Sequence, residues 1–270
     1  MPHDLEYLVY SILPISSDFY WFVSMYVGMY VLAPVMNKLI LALTKRQLAC
    51  ACALALALVS VWPNIFYFSS ALNTAGGVSI SWFLTIYLCG AYIRLYYQPD
   101  GKFLKWFLPA VGTSLLIPLS RFVIEALLSF PFGAISFLDD LMWGYSVFYV
   151  YSSILVTAAS IFLLLAFLIL RIAPGRGAGL INRIAGASFG VYLIHDHYYI
   201  RESLWTKIDG AAWLGHWYLP FACIGVIAAI YLVCTAIELL RQNVYPLKKY
   251  GDRRLFQKAD DKLKKIWNGD

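Results

Sequence analysis

Charge is scarce in this sequence. Asp, Glu, Lys and Arg make up 13% of its 270 residues, about half the share found in an ordinary soluble domain. That scarcity excludes a solvated globular surface, and with it the usual soluble enzyme. Alternating apolar and polar stretches are also lacking, which excludes the pattern of a membrane β-barrel. Cysteine is sparse and badly placed for cross-links. Cys50, Cys52, Cys89, Cys223 and Cys234 all fall inside apolar runs, and no histidine lies near the first two. Cys50 and Cys52 point to different sides of a helix, so they read as small hydrophobes rather than as a disulfide or metal framework. No metal site is expected. Met1–Ser17 lacks a basic start and carries Asp4 and Glu6, so no signal peptide is expected either. No internal repeat or low-complexity linker interrupts the chain.

What is present is apolar. The chain is 61% hydrophobic and 17% aromatic, and several near-continuous runs reach the roughly 20 residues a helix needs to cross a bilayer. The candidate helices are 20–42, 48–68, 78–97, 103–120, 147–170, 184–201 and 216–240. The fold class implied is an all-α integral membrane protein of about seven transmembrane helices. The net charge of +6 is not a nucleic-acid signal, because it sits in a basic tail and in alternate connections. Lys38, Lys45 and Arg46 follow the first helix; Arg94, Lys102 and Lys105 flank the third connection; Arg171, Arg176 and Arg183 fill the fifth. Arg241, Lys248, Lys249, Arg253 and Arg254 open the tail. The connection at 69–77 is uncharged, and those at 121–146 and 202–215 are mixed. The positive-inside rule then places the C-terminus in the cytoplasm and, with an odd number of spans, the N-terminus outside. The domain reading is a multi-pass membrane domain over 1–240 and a basic cytoplasmic tail over 241–270.

Gly186 and Gly190 form a small-xxx-small pair suited to close helix approach, and Pro34, Pro63 and Pro109 are expected to kink their helices. In the tail, Phe256, Ala259, Leu263 and Trp267 share a helical face among lysines. That face suits either an anionic inner leaflet or solvent.

The segment 184-IAGASFGVYLIHDHYYI-200 carries the strongest functional signal. It is apolar until His195, Asp196 and His197. At about 1.5 Å per residue, His195 lies about 18 Å beyond Arg183, past the middle of a hydrocarbon core about 30 Å thick. Ser188, Tyr192, His195 and Tyr199 are spaced by four, three and four residues and so share one face. Such a polar stripe faces a bundle interior or a wet cavity, and an imidazole there suits acid–base work. A structural histidine bonded to a neighbouring helix is the competing reading. Asp196 and His197 are expected near the outer interface. Trp21 and Tyr26, with Tyr30 and Asn37, are further cavity candidates on the first helix, although an interfacial belt accounts for Tyr20 and Trp21 without function. Asp139 and Asp140 lie in an outer connection and read as solvated.

The run 20-YWFVSMYVGMYVLAPVMNKLI-40 resembles the signature of the membrane-bound acyltransferase family 3, in which a Trp-Phe pair precedes a Tyr-rich helix ending in Pro and Asn-Lys. The stretches 82-WFLTIYLCGAYIRLY-96 and 188-SFGVYLIH-195 resemble later helices of that family, in the same order. The resemblance implies about ten core helices with both ends cytoplasmic, of which this chain matches the last seven. It implies transfer of an acyl group, typically acetyl, from cytoplasmic acyl-coenzyme A as co-substrate, with no bound cofactor. The implied acceptor is a hydroxyl of a cell-surface glycan or lipid-linked sugar at the cell membrane. The family's Arg and His on its first helix and its Arg-x-x-Arg motif have no counterpart here, so a truncated chain without activity of its own is one expectation. In this reading His195 is the catalytic candidate, Ser188, Tyr192, Tyr199, Trp21 and Tyr26 line the substrate cavity, and Arg94, Arg171, Arg176 and Arg183 attract coenzyme A phosphates. The rival classes are a transporter or flippase of glycan precursors, and a non-catalytic remnant or accessory subunit. A seven-span receptor is disfavoured, since the last span has no lysine for a retinal Schiff base and the outer connections have no cysteine pair.

Overall fold

The computed structural model describes residues 20–66, 72, 74–128, 148–170, 172–173 and 175–245. Arg171, Asp139, Asp140 and the tail face from Phe256 to Trp267 lie outside them. Every regular element among the described residues is helical. They are α1 (Trp21–Ala42), α2 (Lys45–Leu56), α3 (Ile80–Tyr96), α4 (Phe103–Leu128), α5 (Ile154–Ile169), α6 (Arg176–His195), α7 (Tyr198–Lys207) and α8 (Leu219–Val244). Each of the seven expected segments carries a helix. Five stretches are long and apolar enough to cross a membrane: Trp21–Ala42, Lys45–Ile65, Phe103–Ser120, Arg176–His195 and Leu219–Val244; α3 and α5 are shorter apolar helices. Large apolar side chains such as Val31, Leu41, Phe221 and Ile227 point outward, the arrangement expected where the surrounding solvent is hydrocarbon.

The boundaries shift where side chains cap the backbone. α2 starts at Lys45, not 48, because Thr44 and Gln47 form a capping box: Thr44 N–H donates to Gln47 Oε1 at 2.9 Å and Gln47 N–H to Thr44 Oγ1 at 3.4 Å. This satisfies two of the donors a helix start leaves open. α3 is capped by Ser79. α5 begins at Ile154 rather than 147, capped by Ser153, and Asn64 Oδ1 accepts from the Ile154 N–H at 2.7 Å. α2 continues through a π-helical turn, Ala57–Val61, into a last α-turn, Trp62–Ile65. There the Trp62 N–H reaches back five residues to the Ala57 carbonyl. Pro63 follows at once, and a proline ring crowds the carbonyl four residues earlier; the wider turn gives it room. The expected kink at Pro63 therefore takes the form of a π-turn. α1 runs through Pro34 and α4 through Pro109 and Pro118.

The chain divides into two compact units, 1–172 and 173–270. In the first, Ile40 of α1, Leu48 and Cys52 of α2, and Leu88 and Cys89 of α3 form a buried cluster, while α4 packs along α5. Between α3 and α4, Asp100 accepts from Lys105 Nζ at 2.8 Å and the Lys102 N–H at 3.2 Å. The Lys105 ammonium holds the Asp100 carboxyl below the usual carboxylate range. In the second unit α6 packs on α8, and α7 adjoins α6. α8 runs to Val244, past the expected tail boundary at 240.

Candidate functional site

The segment expected as one helix over 184–201 is two. α6 starts at Arg176, so Arg183 is two turns inside it. It ends at His195, and α7 starts at Tyr198. Asp196 and His197 form the break. The cause is local: Asp196 still has helical angles, but His197 is extended at φ −59°, ψ 129°. Arg201 of α7 reaches back to Asp196 Oδ1 at 3.2 Å and spans the break. The Asp196 carboxylate is largely shielded, with its side chain 15% exposed. Tyr199 thus leaves the face shared by Ser188, Tyr192 and His195. It lies on α7, its ring centroid 5.9 Å from that of His197.

One ring nitrogen of His195 meets its own helix backbone. Its Nδ1 lies 2.7 Å from the carbonyl oxygen of Val191, one turn back. A carbonyl can only accept, so Nδ1 carries the proton in the neutral ring, and Nε2 keeps its lone pair. Tyr192 packs edge-on against the imidazole at 6.2 Å. Ser188 pairs with the Tyr231 hydroxyl of α8 at 3.3 Å.

His195 also lines a cavity of about 380 Å³ among α6, α7 and α8. Ile200 and Leu204 of α7 and Ile208 just beyond it form one wall. α8 supplies the other, from Val226 to Ile237. Seven residues of α8 remain beyond that stretch at each end, so the cavity flanks the middle of a helix long enough to span the membrane. The break after His195 adjoins this cavity. Interrupted helices of this kind are tolerated in membranes where the freed backbone borders a cavity or protein.

Sequence reasoning overlooked Glu238. It is 6% exposed on α8. Arg241 grips it with two bonds, Nε to Oε2 at 2.8 Å and a terminal nitrogen to Oε1 at 2.7 Å, and Gln242 adds a third at 2.8 Å. Its carboxyl sits directly over Gly190 of α6, where any added side chain would overlap it. The signal was available: Glu238 is the first charge after the uncharged run 219–237, three residues before Arg241.

The other candidates fall into separate settings. In the first unit, Arg94 lines a cavity of about 610 Å³ with Asn37, Tyr87 and Gly90. Tyr87 donates to Asn37 Oδ1 at 2.8 Å, while Arg94 has no ion-pair partner among the described residues. A guanidinium beside an amide and a phenol suits an anionic, oxygen-rich ligand. Lys45 sits over the Tyr96 ring at 5.5 Å near the same end of α3. Trp21 packs in an aromatic cluster with Phe22, Phe83 and Tyr151, at centroid distances of 5.9, 6.4 and 5.2 Å. Tyr26 stacks on Phe22 at 6.3 Å and is half exposed. Arg176 and Arg183 are exposed and seven residues apart on α6.

Residues 6–235 match the family described as an acyltransferase domain. Comparisons with curated proteins and with solved structures give no match.

Proposed function

Since the chain belongs to that acyltransferase family and is a membrane acyltransferase, we propose that it moves an acyl group, acetyl in the first instance, from cytoplasmic acyl-coenzyme A to a hydroxyl of a cell-surface glycan or lipid-linked sugar. In this reading the chain lies in the cell membrane with seven crossings, its N-terminus outside and its C-terminus in the cytoplasm.

The observation that carries the proposal is the 2.7 Å contact of His195 Nδ1 with the Val191 carbonyl. An imidazole with Nδ1–H tied to a carbonyl presents Nε2 as a base. The acceptor hydroxyl gives its proton to Nε2 as its oxygen attacks the thioester carbonyl carbon. The carbon–oxygen bond forms and the carbon–sulfur bond breaks. The proton then passes from the imidazolium to the departing thiolate, so the coenzyme leaves as a thiol and the histidine returns to its starting state. Tyr192 holds the ring plane by its edge contact. Separately, the Arg94 cavity suits the coenzyme's phosphates, with Asn37 and Tyr87 as neutral partners. Arg176 and Arg183 serve as general attraction for the same anion.

Steady-state transfer of radiolabelled acetyl groups by the protein in vesicles tests this. His195→Ala should lower kcat by about 10²–10⁴-fold, the range for loss of a general base, with little change in KM for acetyl-coenzyme A. Arg94→Ala should raise that KM by about tenfold or more, the cost of a charged hydrogen bond, and leave kcat closer to normal. Full turnover by His195→Ala would sink the assignment of the base. Substrate movement across the vesicle without coenzyme A consumption would favour a flippase.

A further inference from the structure

The cavity beside His195 has an unusual composition for a site that handles sugars. Apart from His195 and Cys234, every described side chain that lines it is aliphatic. Its volume of about 380 Å³ lies within the roughly 300–1,000 Å³ of ordinary ligand sites. α7 is built to close it. Ile200, Leu204 and Ile208 recur every four residues and face the cavity, while Arg201, Glu202 and Lys207 are exposed. The α8 wall extends over twelve residues, about 16 Å at 1.5 Å per residue, so the space is elongated along the helix. An elongated aliphatic space takes a hydrocarbon chain.

Charge decides whose chain it is. Among the described residues, no Lys or Arg lines the cavity. The guanidinium at the break, Arg201, is occupied by Asp196. A long-chain acyl-coenzyme A would bring several negative charges to a cavity whose described lining holds no cation, whereas an uncharged headgroup rich in hydroxyls needs none. Resting on the acyltransferase reading above, we propose that this cavity holds the hydrocarbon anchor of the acceptor, and that the acceptor is an uncharged glycolipid whose hydroxyl is presented to His195.

The test is photolabelling of the whole protein in phosphatidylcholine vesicles with hexadecyl β-D-glucoside carrying a diazirine in mid-chain. Adducts should concentrate on Leu204 and Ile230, and unlabelled hexadecyl glucoside should reduce them several-fold. Palmitoyl-coenzyme A should not. Ala229→Trp, which fills the cavity, should cut the Leu204 adduct, while the competition on the unaltered protein stands whether or not that variant folds. Displacement by palmitoyl-coenzyme A as effective as by the glucoside would overturn the proposal in favour of the donor's chain. Labelling equal to that of outward-facing Phe221 and Ile224, and indifferent to competitor, would overturn it in favour of bulk lipid. The experiment needs no turnover. Labelling that is competed in a protein with no acyl transfer would uphold the anchor site and defeat the role of His195. Loss of turnover in His195→Ala without specific labelling would do the reverse.

Discussion

Gly190 has no side chain, and the Glu238 carboxyl occupies the room this leaves. A buried carboxylate is tolerable only when its oxygens are bonded, and Arg241 and Gln242 provide that from the same helix. The α6–α8 contact is therefore tight at one point and polar at that point. Gly186, the other half of the small-residue pair, has open space around its missing side chain, so only one member of the sequence motif sets the approach. Gly190→Ala should cost about 1–3 kcal/mol, the usual penalty of forcing extra volume into a packed contact. Gly186→Ala should cost little. Thermal unfolding of the purified protein measures both. Glu238→Ala should remove most of the Gly190→Ala penalty, since residues in contact are non-additive; strictly additive effects would mean the two side chains do not meet.

Among the elements, α2 and α5 show how one local irregularity orders another. The π-turn at Ala57–Val61 changes the helical phase just before Asn64, whose amide oxygen then accepts the first N–H of α5. Asn64→Ala should destabilise the protein by about 1 kcal/mol, the typical value of a lost helix cap. Asn64→Asp, which keeps an acceptor, should recover most of it; equal losses in both variants would show that the bond to Ile154 contributes nothing. Such features also mark the limit of what the sequence discloses. The helices themselves were legible, because hydropathy over 16–26 residues is a strong signal in a chain this apolar. The start of α2 was legible in Thr44 and Gln47 but easy to pass over for the lysine and arginine between them. The start of α6 was not, because 176-RGAGLINR-183 is too polar and glycine-rich for a hydropathy window and yet is helical. The break at Asp196–His197 carries no proline or glycine, so nothing local announces it. Ser188, Tyr192 and His195 were recognised from spacing. Tyr199 was lost to the break, and Glu238 was missed because a single acid in a long apolar run resembles a helix end.

At the scale of the whole molecule, the bilayer is the missing partner of most apolar surface. Each unit turns large aliphatic and aromatic side chains outward, which no soluble domain sustains over so many residues. The arginines and lysines in alternate connections then set direction, because translocating them is unfavourable. This is testable within each unit by single-cysteine labelling with a membrane-impermeant maleimide, after Cys50 and Cys223, the two exposed native thiols, are replaced by Ser. In the first unit, Leu72→Cys should react in intact cells, and Lys102→Cys only after the membrane is opened. In the second, Trp217→Cys should react in intact cells and Gly177→Cys only after opening. Reversal of both pairs would invert the chain and move the Arg94 cavity away from cytoplasmic coenzyme A, which would remove the physical basis for its role. Labelling of all four positions from outside would exclude the alternation itself. The expected pattern would put the basic end of α6 with the donor and leave the cavity beside His195 reachable from within the bilayer, where an acceptor with a hydrocarbon anchor diffuses.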